Sequence, residues 1–99
     1  MFGYKENANL LKAISDETRL KIIDMLSCEE LCACDILSGL KISQSTLSYH
    51  MKILTECGLV TGIRSGRWMN YNLDKKKADE LISYLSNLTN DKDDCICKK

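Results

Sequence analysis

Cys32-Ala33-Cys34 is the part of the chain best equipped to do chemistry. Thiolates are soft ligands that select thiophilic ions over hard ones, and thiols can also be oxidised to a disulfide. On a regular α-helix, side chains two residues apart point about 200° away from each other, so this pair cannot share one ion inside a helix. Near a helix start the backbone can unwind and let the sulfurs converge. The positive end of the helix dipole also lowers a thiol pKa there and favours the thiolate. A second Cys-x-Cys pair recurs at Cys95 and Cys97. That repetition weakens the alternative in which the first pair is simply two small buried hydrophobes.

A second polar set begins about ten residues further on. At about 100° per residue, Leu47, Met51 and Leu54 gather on one side of a helix, and Ser45, Ser48, Tyr49 and Lys52 fall on the other, with Gln44 near the start. Short polar side chains near a helix N-terminus can reach base edges in the DNA major groove, where Gln pairs bidentately with adenine. Lys52 and the helix N-terminus suit phosphates. His50 falls on the margin of the apolar side and reads as a hydrogen-bonded edge residue. Arg64 and Arg67 flank a turn, and arginines at such a tip favour a narrow minor groove. Trp68 and Tyr71 are expected in the core.

The elements that must carry these residues follow from periodicity and capping. Leu10, Leu11 and Ile14 predict a helix over Tyr4–Ser15. Asp16 caps a second, Glu17–Ser27, whose apolar side is Leu20, Ile23, Met25 and Leu26, with Ile22 nearby. Cys28-Glu29-Glu30 is a connection. A third helix is expected from about Cys32 to Gly39, with Gly39 as its stop, and a fourth from the Ser43 cap to about Cys57, ended by Gly58. Leu59–Ile63 and Trp68–Leu73 read as strands of a hairpin around Arg64-Ser65-Gly66-Arg67. Asp74 caps a last helix, Lys75 to about Thr89, with Ala78, Leu81, Ile82, Leu85 and Leu88 along one face. The expected fold is mainly α with a β-hairpin wing, a winged helix-turn-helix, dimeric through that last helix in a contact shared with the first. Residues 1–90 are expected to form the DNA-binding and dimerisation domain. Residues 91–99 are expected to form a flexible tail holding Cys95 and Cys97.

Composition sets the bounds. Ninety-nine residues make one domain, and a domain this small has a marginal core that dimerisation would enlarge. No apolar run approaches the roughly 18 residues of a membrane span, and Met1–Glu6 lacks the regions of a signal peptide. A cytoplasmic protein with no membrane partner is expected. In that compartment six cysteines read as metal ligands or redox sensors before structural disulfides. Net charge is zero, but residues 41–73 carry Lys41, Lys52, Arg64 and Arg67 against Glu56 alone, a local +3. The basic charge therefore sits on the segment that holds the DNA-reading candidates. No general base pairs with a nucleophile and the single His lies in the reading helix, so no enzyme is expected. A small thiol enzyme such as an arsenate reductase would also lack its Cys-x-x-Cys.

Glu30-Leu31-Cys32-Ala33-Cys34-Asp35-Ile36-Leu37 resembles the metal-binding box of the ArsR/SmtB family of metalloregulatory repressors, and is most similar to that of the arsenical-resistance repressors. Asp16-Glu17-Thr18-Arg19-Leu20, Ser43–Lys52 and Gly66-Arg67-Trp68-Met69-Asn70-Tyr71 resemble the family's second helix, recognition helix and wing, in the same order. The resemblance spans about residues 5–75. It implies a homodimer that binds double-stranded operator DNA at an inverted repeat in the apo state and leaves it when As(III) or Sb(III) binds Cys32 and Cys34. Some such relatives carry a third cysteine three residues after the second, where this chain has Leu37. The zinc-sensing relatives carry His on the last helix, where this chain has none. As(III) favours three sulfurs, and the candidates for the third are Cys95 or Cys97 of the tail, or Cys28. A repressor answering to Cd(II), Pb(II) or Zn(II), and a thiol redox-responsive repressor, remain alternatives.

Overall fold

A computed structural model describes residues 3–91. The expected cysteine tail, with Cys95 and Cys97, lies outside these residues. Helix α1 (Tyr4–Ile14) is followed by α2 (Glu17–Leu26), capped by the Asp16 carboxylate, which accepts the Arg19 N–H at 3.1 Å. The apolar side of α2 centres on Ile22 and Leu26, both buried, with Ile23 and Met25 packed beside them. Leu20, expected on that side, is 52% exposed. It stands two residues, about 200°, from Ile22 and so faces the opposite way.

Next comes an element the sequence did not announce, the two-residue strand β1 (Leu31–Cys32), which leads into α3 (Ala33–Leu40). Gly39 is not the stop. The helix continues to Leu40 and closes at Lys41, which takes the left-handed conformation (φ 55°) and donates its N–H to the Leu37 carbonyl at 2.9 Å. Gly39 instead lets α3 lie close to α2, since a Cβ there would stand 2.9 Å from the tip of Met25.

Helix α4 (Gln44–Glu56) begins at Ser43, whose hydroxyl accepts the Thr46 N–H at 3.1 Å. The hairpin is β2 (Val60–Ser65) against β3 (Trp68–Leu73), paired from Val60↔Leu73 to Ser65↔Trp68. Its turn is therefore tighter than expected. Arg64 belongs to β2, opposite Met69, and only Gly66-Arg67 make the tip. Strand β1 joins the other edge of β3, giving the order β1-β3-β2. Helix α5 (Lys75–Thr89) starts at the Asp74 cap, which accepts the Lys77 N–H at 3.0 Å.

The core lies where α2, α3 and α4 meet the inner face of the hairpin: Ile22, Ile36, Leu47, Leu54, Val60 and Tyr71 belong to one buried cluster. A smaller cluster of Leu10, Leu59 and Leu81 joins α1 to α5. Ala78 packs against this cluster, but the outer part of the expected α5 face is bare within one protomer, with Ile82 63%, Leu88 47% and Leu85 37% exposed and Tyr4 beside Leu88. Among the described residues no helix is long and apolar enough to cross a membrane.

Candidate metal site and nucleic-acid interface

Cys32 is not helical. It is the N-cap of α3, with extended backbone (φ −82°, ψ 159°), while Cys34 sits in the first turn. This placement removes the 200° opposition of a regular helix, and the two sulfurs meet. They are joined in a disulfide, with Cα atoms 5.3 Å apart. The Asp35 carboxylate accepts the Cys32 N–H at 3.2 Å. Asp35 stands three residues after the cap, the spacing at which an acidic side chain reaches back to the cap N–H. The ligand atoms of Cys32, Cys34 and Asp35 all lie within 4.8 Å of one another. Once reduced, the pair offers two adjacent soft thiolates with a carboxylate beside them, a donor set that fits a thiophilic ion. Cys28 is exposed and outside this group. Cys57 is half-buried, its thiol donating to the Leu54 carbonyl at 3.2 Å.

The helical wheel of α4 is reproduced. Leu47, Met51 and Leu54 are buried, while Gln44, Ser45, Ser48, Tyr49 and Lys52 are exposed. Gln44 and Ser48 line a cleft of about 180 Å³ together with Arg64, Arg67 and Trp68 of the hairpin. The structure thus brings four expected DNA-facing residues around one groove. Ser45, Tyr49 and Lys52 lie on the exposed side of α4 without lining it. Trp68, expected in the core, is 37% exposed in this groove, while Tyr71 is buried as expected. Trp68 closes the hairpin opposite Ser65, beyond the reach of the core, and strand alternation alone does not reveal that. Ala33, between the two cysteines, lines the same cleft. Cys32 also pairs with Asn70 of β3, and Asn72 donates to the Glu30 carboxylate at 3.2 Å. The cysteine pair is therefore attached to the wing through the sheet.

His50 is buried and hydrogen-bonded. Arg19 Nη1 donates to its Nδ1 at 3.0 Å, and Arg19 Nε donates to the Ala13 carbonyl at 2.6 Å. An accepting Nδ1 places the imidazole proton on Nε2. Asp16 Oδ2 stands 4.0 Å from Nδ1, beyond hydrogen-bond distance. The Arg19 backbone N–H holds the Asp16 carboxyl below its ordinary value against the opposing effect of burial, helped by the Arg19 charge. This network ties α1, α2 and α4 together beneath the reading face.

A helix-turn-helix made of α3 and α4, followed by a two-stranded wing beside the second helix, defines the winged-helix class of DNA-binding domain. The chain belongs to the arsR family of bacterial regulatory proteins, whose model matches residues 16–61. It is 44% identical over 96 residues to the arsenical resistance operon repressor of Staphylococcus aureus, a match covering 97% of this chain and 92% of that protein. Among solved structures it resembles HlyU from Vibrio cholerae N16961, at TM-score 0.72 and 34% identity over 86% of this chain and 92% of that one. An ArsR-like transcriptional regulator from Rhodococcus sp. RHA1 matches at TM-score 0.76 and 28% identity, over 86% and 80% of the two chains.

Proposed function

We propose that this protein is a metalloid-responsive transcriptional repressor rather than an enzyme, and that it acts in the cytoplasm. Two copies join through α5 and bind an inverted-repeat operator in the reduced, metal-free state. As(III) or Sb(III) then binds Cys32 and Cys34 and releases the DNA. The observation that carries this reading is the position of the cysteine pair. Cys32 ends the strand that pairs with the wing, and Ala33 lines the groove between the wing and α4. An ion that re-forms the first turn of α3 would therefore move backbone that belongs to the reading surface. The 44% identity to an arsenical resistance operon repressor supports the choice of inducer.

Gln44, Ser45, Ser48 and Tyr49 face the bases and sugar edges in this reading, Lys52 a phosphate, and Arg64 and Arg67 the minor groove and its backbone. Leu37 leaves As(III) one sulfur short. The third is assigned to Cys95 or Cys97 in preference to Cys28, because Cys28 is not gathered with Cys32 and Cys34. Moving a dimer from 99:1 bound to 1:99 requires about 5.5 kcal/mol of differential affinity. By reciprocity, operator DNA must weaken As(III) binding by the same factor.

The test is operator binding by the reduced protein, followed by fluorescence anisotropy, with arsenite added. Wild type should dissociate, whereas Cys32→Ser and Cys34→Ser should bind DNA and stay bound. Arsenite-driven release of the double variant would remove the site. One observation favours a second inducer: the Asp35 carboxylate beside the sulfurs suits a divalent ion such as Cd(II), Pb(II) or Zn(II) with mixed donors. Ultraviolet titration of the sulfur charge-transfer bands with each ion separates the two readings.

A further inference from the structure

The disulfide between Cys32 and Cys34 coexists with the formed groove between α4 and the wing. With the sulfurs joined, Cys32 keeps its pairing with Asn70 and its N–H keeps the Asp35 carboxylate. Ile36 of α3 is fully buried, Leu47, Met51 and Leu54 on the inner side of α4 are buried, and Gln44 and Ser48 face the groove with Arg64 and Arg67. The cross-link spans residues only two apart, from the cap of α3 to its first turn. It draws no distant elements together and pushes none apart.

From this we infer that thiol oxidation is a second input to the protein: closing the Cys32–Cys34 bond leaves operator binding intact and makes the repressor blind to As(III) until the pair is reduced. The inference rests on the reading of these cysteines as inducer ligands. The ligand form of cysteine is the thiolate. Each sulfur of the closed pair is bonded to the other and carries no negative charge, so the site has lost both ligands. The outcome differs from that of a redox repressor that lets go of DNA when oxidised. Here oxidation holds repression in place against the metalloid.

The oxidant is of the peroxide class, and the step balances. One thiolate attacks a peroxide oxygen, breaking the O–O bond to give a sulfenic acid and, after protonation, one water. The second thiol attacks that sulfur, the S–S bond forms, and the sulfenic hydroxyl leaves with a proton as a second water. Two electrons pass from the two sulfurs to the peroxide. A dithiol reductant reverses the change by exchange through a mixed disulfide.

The experiment uses the full chain in two forms. In the first, Cys28, Cys57, Cys95 and Cys97 are all replaced by Ser, so hydrogen peroxide can close only the remaining pair. Intact mass and thiol counting follow closure, and anisotropy follows operator binding before and after. In the second, wild type is titrated with arsenite on the operator in three states: reduced, peroxide-treated, and peroxide-treated then exposed to dithiothreitol. The Cys32–Cys34 bond is located by tandem mass spectrometry. Closure should consume both thiols within one chain and change operator Kd by less than about threefold, while arsenite should raise the reduced wild type's Kd by about tenfold or more. The peroxide-treated wild type should ignore arsenite, and dithiothreitol should restore the response. Loss of operator binding on closure, an arsenite response from the closed form, or failure of the pair to close would each overturn the inference. A reduced wild type that ignored arsenite would instead sink the proposed inducer, a result on which the Ser variant's closure and operator readings do not depend.

Discussion

At the scale of single residues, the DNA contacts proposed for the groove between α4 and the wing are of two kinds. In that reading Gln44 and Ser48 present polar groups to base edges, so Gln44→Ala or Ser48→Ala should reduce preference for operator over random DNA by about 1–3 kcal/mol. Arg64→Ala and Arg67→Ala should weaken binding to every sequence and flatten its salt dependence, read from log Kd against log salt. Unchanged affinity and slope would remove the wing contact. Asp16 supports the same surface from behind. Its folded pKa lies below the ordinary aspartate value, so its contribution to stability is present above that ordinary value and is lost as pH falls through the lower, folded one. Asp16→Asn should therefore retain much of the cap near neutrality while flattening the acid limb of the melting temperature. A limb identical to wild type would show that the cap is not ionised. Cys32, Cys34 and the outward residues of α4 were all legible in the sequence, because residue type and helical spacing suffice to mark them. The exposure of Trp68 was not, because it depends on where the hairpin ends relative to the core, a tertiary fact. The Asp35 bond to the cap was within reach, since its three-residue spacing after Cys32 is a local signal.

At the scale of elements, α4 was readable because thirteen residues complete more than three turns and the apolar stripe repeats. Strand β1 was not, since two residues cannot display an alternation and only its partner β3 defines it. The end of α3 misled for a related reason. Glycine favours a helix stop, yet Gly39 is retained within the helix at its approach to Met25, and Lys41 takes the left-handed cap. This gives a signed prediction. Gly39→Ala gains helix propensity of about 1 kcal/mol and displaces only the flexible tip of Met25, so urea denaturation should show a net gain in stability smaller than that figure. A loss would mean that Met25 has nowhere to move.

At the scale of the whole molecule, α5 leaves an apolar face bare among the described residues. Ile82 and Leu88 are 63% and 47% exposed, and pairing two such faces would enlarge a core that is otherwise marginal. Ile82→Glu combined with Leu88→Glu should give a folded monomer at micromolar concentration by sedimentation, with operator affinity reduced far more than non-specific binding. A dimer that persisted would move the interface elsewhere. The placement of the cysteine pair has a consequence at this scale too. Leu31 and Ala33 on either side of Cys32 pack against the main core, whereas Cys32 and Cys34 are not among the residues that do. The two cysteines are half-buried beside that core rather than part of it. If these cysteines hold the inducer as proposed, the chemical identity of the signal is set at the edge of the DNA-binding fold rather than in its core, where one or two substitutions by other donor side chains should change the ion that is sensed before they change the fold.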